Sequence, residues 1–169
     1  MKKEFKATLV YTIAAKASGL LLDVVEGNEE NGAIFYPLEP LQTQLALAEQ
    51  AFRTYLANDF FSKENVRYCI WREGETYLSA LRLEPFRDGL LLEALETHPD
   101  HRRKGYAKQL IRSVFSQLPT GTRIYSYVDK ENVPSLAAHF ACGFSILLDH
   151  AVHPDGEFCI HEYTLSVTA

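Results

Sequence analysis

The stretch that decides the fold is LLLEALETHPDHRRKGYAKQLIR, residues 90–112. It begins with a nearly continuous apolar run, interrupted by Glu93 and Glu96, which is typical of a strand covered on both faces. His98-Pro99 ends this strand, because the residue before a proline favours extended conformations and proline cannot donate to a ladder. From Gly105 onward, apolar residues recur every three or four positions, which predicts an amphipathic helix. The stretch therefore predicts a buried strand, a short basic loop and a helix.

The loop and the start of this helix are strongly basic. Between His101 and Val128 there are six Lys or Arg and no Asp or Glu, whereas the rest of the chain has 11 basic and 22 acidic residues. A helix start leaves four backbone N–H groups without partners and carries the positive end of the helix dipole. The combination predicts a site for a phosphate or pyrophosphate, and the alternative is a solvated loop without function. One basic cluster in an acidic chain favours local anion binding over a nucleic-acid surface.

Size and composition indicate one globular domain. The chain has 169 residues, of which 47% are apolar and 23% charged. Its three cysteines are widely spaced in apolar surroundings, which predicts reduced, buried thiols and a cytoplasmic protein. No run approaches the roughly 18 apolar residues of a membrane span. The histidines and cysteines lack metal-ligand spacing, so no metal site is predicted.

The remaining patterns predict the order of elements. Residues 5–13 alternate as a strand rather than a signal peptide, and apolar residues from Leu38 to Tyr55 are spaced as a helix. The further predicted elements are strands at 66–71, 76–83, 90–95 and 124–128, helices at 105–118 and 132–143, and a last hairpin of 144–151 and 158–167. Helices inserted between strands indicate an α/β sandwich with a mixed sheet.

The basic loop resembles a motif of a known family. Arg102-x-x-Gly105-x-Ala107, placed after an apolar strand, is similar to the acetyl-CoA pyrophosphate loop of the GNAT superfamily of N-acetyltransferases. The family's pattern there is Gln or Arg, two residues, Gly, one residue, then Gly or Ala. This motif by itself is short.

A second motif follows in the expected order. Asn132, Ser135, Gly143 and Phe144 fall at the spacing of the family's next motif, Asn-x-x-Ser or Ala followed seven residues later by Gly-Phe. The resemblance covers residues 66–167, the acetyl-CoA-binding core. Residues 1–65 match no pattern, and the resemblance assigns them to the variable acceptor side of the domain.

The resemblance implies a fold and an activity. The fold would be GNAT-like, a single domain with a mixed, mostly antiparallel central sheet flanked by helices on both faces. The activity would be acetyl-CoA-dependent N-acetyl transfer to a primary amine of a small molecule or peptide, by direct attack without a covalent enzyme intermediate. A homodimer is compatible with the resemblance. The alternatives are a non-catalytic acyl-CoA-binding or regulatory module of the same fold, or a domain that kept the fold without the ligand.

The resemblance also assigns cofactor-binding residues along two elements and a loop. The pyrophosphate would be held by Arg102, Arg103, Lys104, Gly105, Tyr106 and Ala107. Backbone groups of Leu95 and Thr97 would serve the pantetheine arm and the oxyanion, and Asn132 and Phe140 would also contact the cofactor. If the strand ladder opens near Leu95, its N–H groups become free to act as donors.

Glu93 is the predicted general base. A primary amine of pKa ~10.4 must lose a proton before attack, at a cost of about 4–5 kcal/mol at neutral pH. Glu93 lies on the central strand among apolar residues that would raise its pKa towards the useful range. The alternative is an ion pair with Arg82 on the neighbouring strand. Glu96 lies three positions after Glu93, so on a regular strand its side chain would face the opposite side of the sheet. It is the reserve candidate, because a bulge in the strand would remove this parity argument.

His139 departs from the family pattern. Relatives usually carry a tyrosine at this position, whose hydroxyl protonates the departing thiolate. An imidazole of pKa ~6.5 can also donate a proton to a thiolate whose conjugate acid has a pKa near 8.5. The alternatives are a histidine hydrogen-bonded in the helix packing, or loss of catalysis.

Overall fold

The fold is seen in a computed structural model, which describes residues 54–73 and 76–169. Its strands in chain order are β1 Arg67–Glu73, β2 Thr76–Phe86, β3 Gly89–Thr97, β4 Arg123–Asp129, β5 Ser145–Leu148, β6 Ala151–Val152, β7 Phe158–Cys159 and β8 Glu162–Thr168. Its helices are α1 Tyr106–Phe115 and α2 Val133–Ala141, with a π-helical turn at Leu56–Phe60 and a 3-10 turn at Pro99–His101.

Six strands form the main sheet in the order β1-β2-β3-β4-β8-β5, and β6 and β7 form a separate pair. Neighbouring strands of the main sheet are antiparallel except β3 and β4, which are parallel. The parallel pairing covers only three residues of each strand, from Leu90 opposite Ile124 to Leu92 opposite Ser126. Beyond Leu92 the two strands have no ladder, so the sheet opens into a fork.

Helices cover both faces of the sheet. On one face, α1 buries Leu110, Ile111 and Val114 against the strands, and Leu136 of α2 packs on the same core. Each such buried aliphatic side chain contributes roughly 1.5–3 kcal/mol. On the other face, Phe60 of the π-helical turn is fully buried and contacts the Tyr68 ring. This arrangement confirms the predicted mixed, mostly antiparallel sheet with helices on both sides.

The predicted last hairpin is confirmed in its pairing, because residues 145–152 pair antiparallel with residues 158–166. Its strands are interrupted rather than continuous, so β5 pairs with β8 while β6 pairs with β7 in a small sheet of its own. A bend at residues 149–150 separates β5 from β6. The reversal at residues 153–156 is present, with the Gly156 N–H donating to the His153 carbonyl at 2.8 Å.

The other predicted strands and helices of the described residues are present. Strands β1 to β4 are one to three residues longer than predicted, and α1 ends at Phe115 rather than Leu118. The predicted strand at 5–13 and most of the predicted helix at 38–55 lie outside the described residues. Within residues 54–73 and 76–169, no helix has the length and apolarity needed to cross a membrane.

Candidate active site

A fork in the sheet forms the base of the site. At the point where β3 and β4 separate lies a cavity of about 180 Å³, whose wall includes Glu93, Leu95, Ser126, Asn132, Ser135 and His139. The missing ladder leaves edge backbone groups of both strands without a strand partner at this point. The fork can therefore accept an extended polar chain between the two strands.

A β-bulge shapes the β3 side of the fork. Arg82 pairs with Glu93 and Ala80 pairs with Glu96, so three steps along β3 match two along β2. The extra residue is Ala94, which has a left-handed φ of 51°. Because Ala80 and Arg82 lie on one face of β2, the bulge brings Glu96 to the same face as Glu93. The parity argument against Glu96, which assumed an undistorted strand, therefore does not hold.

Glu93 is largely buried beside charged groups. Its Oε1 lies 3.7 Å from the Arg82 Nε, so the ion pair considered from the sequence is formed, though it is long. Glu84 is also near, and it is itself bound to Lys63 at 3.1 Å. Burial raises the pKa of Glu93 to about 7, the Arg82 charge opposes this rise and the Glu84 carboxyl adds to it. A carboxyl with a pKa near neutral suits a general base, so the ion pair and the catalytic role are compatible in this geometry.

A larger cleft of about 780 Å³ adjoins the fork. It shares Ala94, Leu95, Asn132 and Ser135 with the smaller cavity. Among the predicted pyrophosphate residues, Arg102, Arg103, Gly105, Tyr106 and Ala107 line this cleft, and so do Leu95, Thr97 and Asn132. Lys104 and Phe140 are exposed and are not part of either wall.

The start of α1 is an open anion site. Gly105 is its N-cap with φ 81°, no side chain caps the helix, and the first turn contains no acidic residue. Arg103 also adopts a left-handed φ of 63°, and the Arg102 Nε donates to the Thr97 carbonyl at 3.1 Å. The first-turn N–H groups therefore face the cleft beside two cationic side chains, an arrangement suited to a pyrophosphate. The residues present fit the phosphate end of acetyl-CoA.

The backbone of β3 presents polar groups to the cleft. The His98 N–H donates to the Leu78 carbonyl on β2. Because backbone groups alternate along a strand, those of Thr97 point to the opposite side, where Arg102 binds its carbonyl, and those of Leu95 point the same way. These two residues therefore present backbone groups on the fork side of β3, and their pairing with a pantetheine arm stays a prediction.

Helix α2 closes the other side of the fork. The Asn132 side chain accepts from the Ser135 N–H at 3.2 Å and caps this helix, and Gly143 with φ 93° ends it, so both predictions are confirmed. Asn132 lines both cavities. Its capping bond fixes the side chain at the junction between them.

His139 is buried at the inner wall, with 1% of its surface exposed. Its Nδ1 lies 2.7 Å from the Ser135 carbonyl oxygen, and its Nε2 lies 3.0 Å from the Ser126 Oγ. Burial lowers the pKa of His139, and the bond to the Ser135 carbonyl only partly opposes this. The imidazole is therefore neutral near pH 7, with both nitrogens engaged.

Ser126 is a site residue that the sequence analysis missed. It lies on β4 opposite Leu92, at the last rung before the fork, and its side chain is buried. The signal available was a single serine within the largely apolar run from Ile124 to Val128. That signal is weak, because buried serines are common wherever a hydrogen-bond partner is near.

Comparison with known families identifies the class of protein to which the fork, the open helix start and the bulged strand belong. Residues 34–144 match the sequence model of the acetyltransferase (GNAT) family. The chain belongs to this family. A search of curated proteins found no match.

Solved structures of the family share the fold. The PaiA N-acetyltransferase of Thermoplasma acidophilum, solved in complex with coenzyme A, is 10% identical with a TM-score of 0.56 and 100% of both chains covered. A spermidine N-acetyltransferase SpeG chimera from Vibrio cholerae and hSSAT is 14% identical with a TM-score of 0.59, covering 99% of this chain and 93% of the other. A GNAT-family acetyltransferase of Bacillus cereus is 23% identical with a TM-score of 0.55, covering 70% and 79%.

The described part of the chain contains no cluster of side chains that could bind a metal ion. Across residues 54–73 and 76–169, no three His, Cys, Asp or Glu side chains come together in a way that could hold a metal ion.

Proposed function

We propose that the protein is an acetyl-CoA-dependent N-acetyltransferase that acetylates a primary amine by direct attack. The observation that carries the proposal is the fork between β3 and β4, which lies next to the uncapped, cationic start of α1. The start of α1 fits a diphosphate, and the adjoining fork fits an extended arm that ends in a thioester. Acetyl-CoA supplies an activated acetyl group when bound there.

The cleft residues divide the task of holding the donor. The first-turn N–H groups of α1 with Arg102 and Arg103 would bind the pyrophosphate, because backbone donors and fixed cations together favour a multiply charged anion. Backbone groups of Leu95 and Thr97 would pair with the arm and with the developing oxyanion. Asn132 would contact the arm where the two cavities meet.

Glu93 would take the first proton from the incoming ammonium. The proton must leave an amine whose pKa is ~10.4, and a base with a pKa near 7 is both deprotonated and basic enough at neutral pH. Burial gives Glu93 this property. Glu96 lies on the same face because of the bulge and remains the second candidate.

The acceptor would approach from the face that carries these carboxyls. Glu84, Glu93 and Glu96 lie on one side of β2 and β3, with Lys63 and Arg82 as the neighbouring cations. Three carboxyls against two cations favour a cationic amine, carried by a small molecule or a peptide. His139 would supply the proton to the departing thiolate, and its hydrogen bonds determine the path that this proton takes.

The proposal is tested by binding and turnover. Calorimetry should show acetyl-CoA binding, and a panel of primary amines should release free thiol with at least one member. Binding without turnover would favour the non-catalytic acyl-CoA module instead. The observation that favours this alternative is that both ring nitrogens of His139 are already engaged in hydrogen bonds. Absence of binding would contradict both.

Gly105→Glu should abolish acetyl-CoA binding. A Cβ at this position has room, since the nearest atom is the Lys108 Cε at 3.9 Å, so the loss would come from the positive φ and from negative charge beside the phosphate site. Gly121→Glu is the matched control, because Gly121 also has a positive φ of 90° with nothing near its Cβ, but lies beyond the other end of α1. Equal loss of binding in both variants, measured by calorimetry, would contradict the assignment of the loop.

A further inference from the structure

We infer that Ser126 is a further catalytic residue, whose hydroxyl carries a proton between the reacting atoms and His139 and delivers it to the departing thiolate. In this inference His139 holds the proton but does not itself touch the sulfur. The inference rests on the proposed function, because it assigns the proton path of that same reaction. Two observations support it: the position of Ser126, and the hydrogen bonds that join the Ser126 hydroxyl, the His139 imidazole and the Ser135 carbonyl.

The first observation is where Ser126 lies. It is the last residue of β4 paired with β3, opposite Leu92, so its side chain stands at the apex of the fork. The side chain is only 2% exposed, yet it forms part of the wall of the small cavity together with His139 and Glu93. Ser126 therefore places a hydroxyl of β4 on the wall of the fork.

The second observation fixes the tautomer of His139. The Ser135 carbonyl oxygen at 2.7 Å can only accept, so the Nδ1 must carry the proton and donate it. Because burial keeps the imidazole neutral, the Nε2 then has a lone pair and no proton. The Ser126 Oγ at 3.0 Å therefore donates to the Nε2.

It follows that His139 has no N–H directed into the cavity in the resting enzyme. A direct transfer from His139 to sulfur would require breaking the bond to Ser126 and finding a proton elsewhere. The Ser126 hydroxyl lines the cavity and keeps two acceptor lone pairs, so it can accept a proton while passing its own to the Nε2. A hydroxyl within hydrogen-bond reach of an imidazole that a third group orients is an arrangement in which the imidazole takes the hydroxyl proton.

The proton balance is as follows. An alkylammonium loses its first proton to Glu93, and once the C–N bond forms the nitrogen still carries one proton too many. Ser126 accepts that second proton on the Oγ while its own O–H bond breaks towards the His139 Nε2. As the C–S bond breaks, the Nε2–H proton returns to the Oγ and the Oγ–H proton forms the S–H bond. Ser126 and His139 end unchanged, and one proton has moved from nitrogen to sulfur.

Ser126→Ala tests the relay by turnover and by an equilibrium property. General acid–base groups contribute roughly 10²–10⁴-fold, so kcat should fall by about 10²-fold or more, while the Kd for acetyl-CoA should change by less than about twofold. In the complex with free CoA, the hydroxyl proton would turn from the His139 Nε2 to the thiolate, so its removal should raise the pKa of the bound thiol by about 1, read from thiolate absorbance in the ultraviolet. Ser126→Thr keeps the hydroxyl and should retain most of both properties.

Thr164→Val is the matched control for loss of a buried hydroxyl. Thr164 is fully buried on β8 and donates to the His150 carbonyl at 2.7 Å, but it lies outside both cavities. Its variant should lose thermal stability as Ser126→Ala does, without changing kcat or the bound thiol. If Ser126→Ala and Thr164→Val behave alike in all three measurements, Ser126 is merely structural and the relay is refuted.

Two further outcomes overturn the inference, and both differ from failure of the proposed function. An acetyl adduct on Ser126 after incubation with acetyl-CoA alone, seen by intact mass, would make the residue a nucleophile rather than a relay. Full kcat in Ser126→Ala with an active wild type would remove it from the path. A wild type that turns over no amine would instead refute the proposed function.

Discussion

Glu93→Gln should change stability and activity in opposite directions. The substitution keeps the shape of the side chain and removes its ability to ionise. In the folded protein the pKa of Glu93 is raised by burial from 4.5 to about 7. A carboxyl with a raised folded pKa favours folding fully only below its unfolded pKa, and this contribution is lost as the pH rises through 7.

The magnitude follows from that difference of about 2.5 between the two pKa values. Each unit of pKa corresponds to about 1.36 kcal/mol, so ionised Glu93 lowers the free energy of unfolding by about 3 kcal/mol above pH 7. Most of this window lies between about pH 5 and pH 8. Relative to wild type, Glu93→Gln should therefore gain roughly 2–3 kcal/mol on going from pH 5 to pH 8.

Urea unfolding at about pH 5 and pH 8 measures the gain, and amine-dependent thiol release measures activity. Loss of a general base should lower kcat by about 10²-fold or more and remove the rise in rate near pH 7. Glu157→Gln, at an exposed carboxyl, is the control and should show neither effect. Glu96→Gln separates the two candidates, since a larger loss of activity there would transfer the role of base to Glu96. A Glu93→Gln variant whose stability relative to wild type is independent of pH would refute the buried environment of this carboxyl.

Three further predictions concern the loop, the bulge and the histidine. Arg102→Ala should weaken acetyl-CoA binding by roughly tenfold in calorimetry, whereas Lys104→Ala, outside the cleft wall, should change it by less than about twofold; the reverse order would misplace the phosphate. Ala94→Gly should raise the free energy of unfolding by up to about 1 kcal/mol in urea, because it relieves the φ of 51°, and a decrease would argue against the bulge. The folded pKa of His139 lies below its usual 6.5, so its contribution to stability is present above that pH and lost as the pH falls. Wild type should therefore lose stability between pH 7 and pH 5 more steeply than His139→Gln, and equal slopes in urea unfolding would contradict its burial.

Several features were predictable because they depend on residues close in the chain. Asn132 caps the residue three positions ahead, and Gly143 adopts the left-handed conformation that ends α2. Gly105 starts α1 next to the basic loop for the same local reasons. The sequence therefore predicted that the motif residues of the loop lie together. It could not show which of the assigned side chains face the cleft, and those of Lys104 and Phe140 lie outside its wall.

Other features depended on strand pairing and burial, which local patterns do not encode. The hairpin at the end of the chain was predicted with two continuous strands, because alternation along a segment does not show where a bend will interrupt the ladder. Glu96 was placed on the wrong face for a related reason. Its face is decided by the bulge at Ala94, which exists only through the register with β2.

The sequence by itself determined the class of this protein, since the strand, basic loop and glycine-led helix of residues 90–112 are specified by interactions within a few residues of one another. The tertiary structure decided the chemistry at the fork. Ser126 and His139 are 13 residues apart and meet only because α2 packs across the end of β4. Desolvation then sets the proton affinities of Glu93 and His139, and desolvation is a property of everything that surrounds a group rather than of its neighbours along the chain.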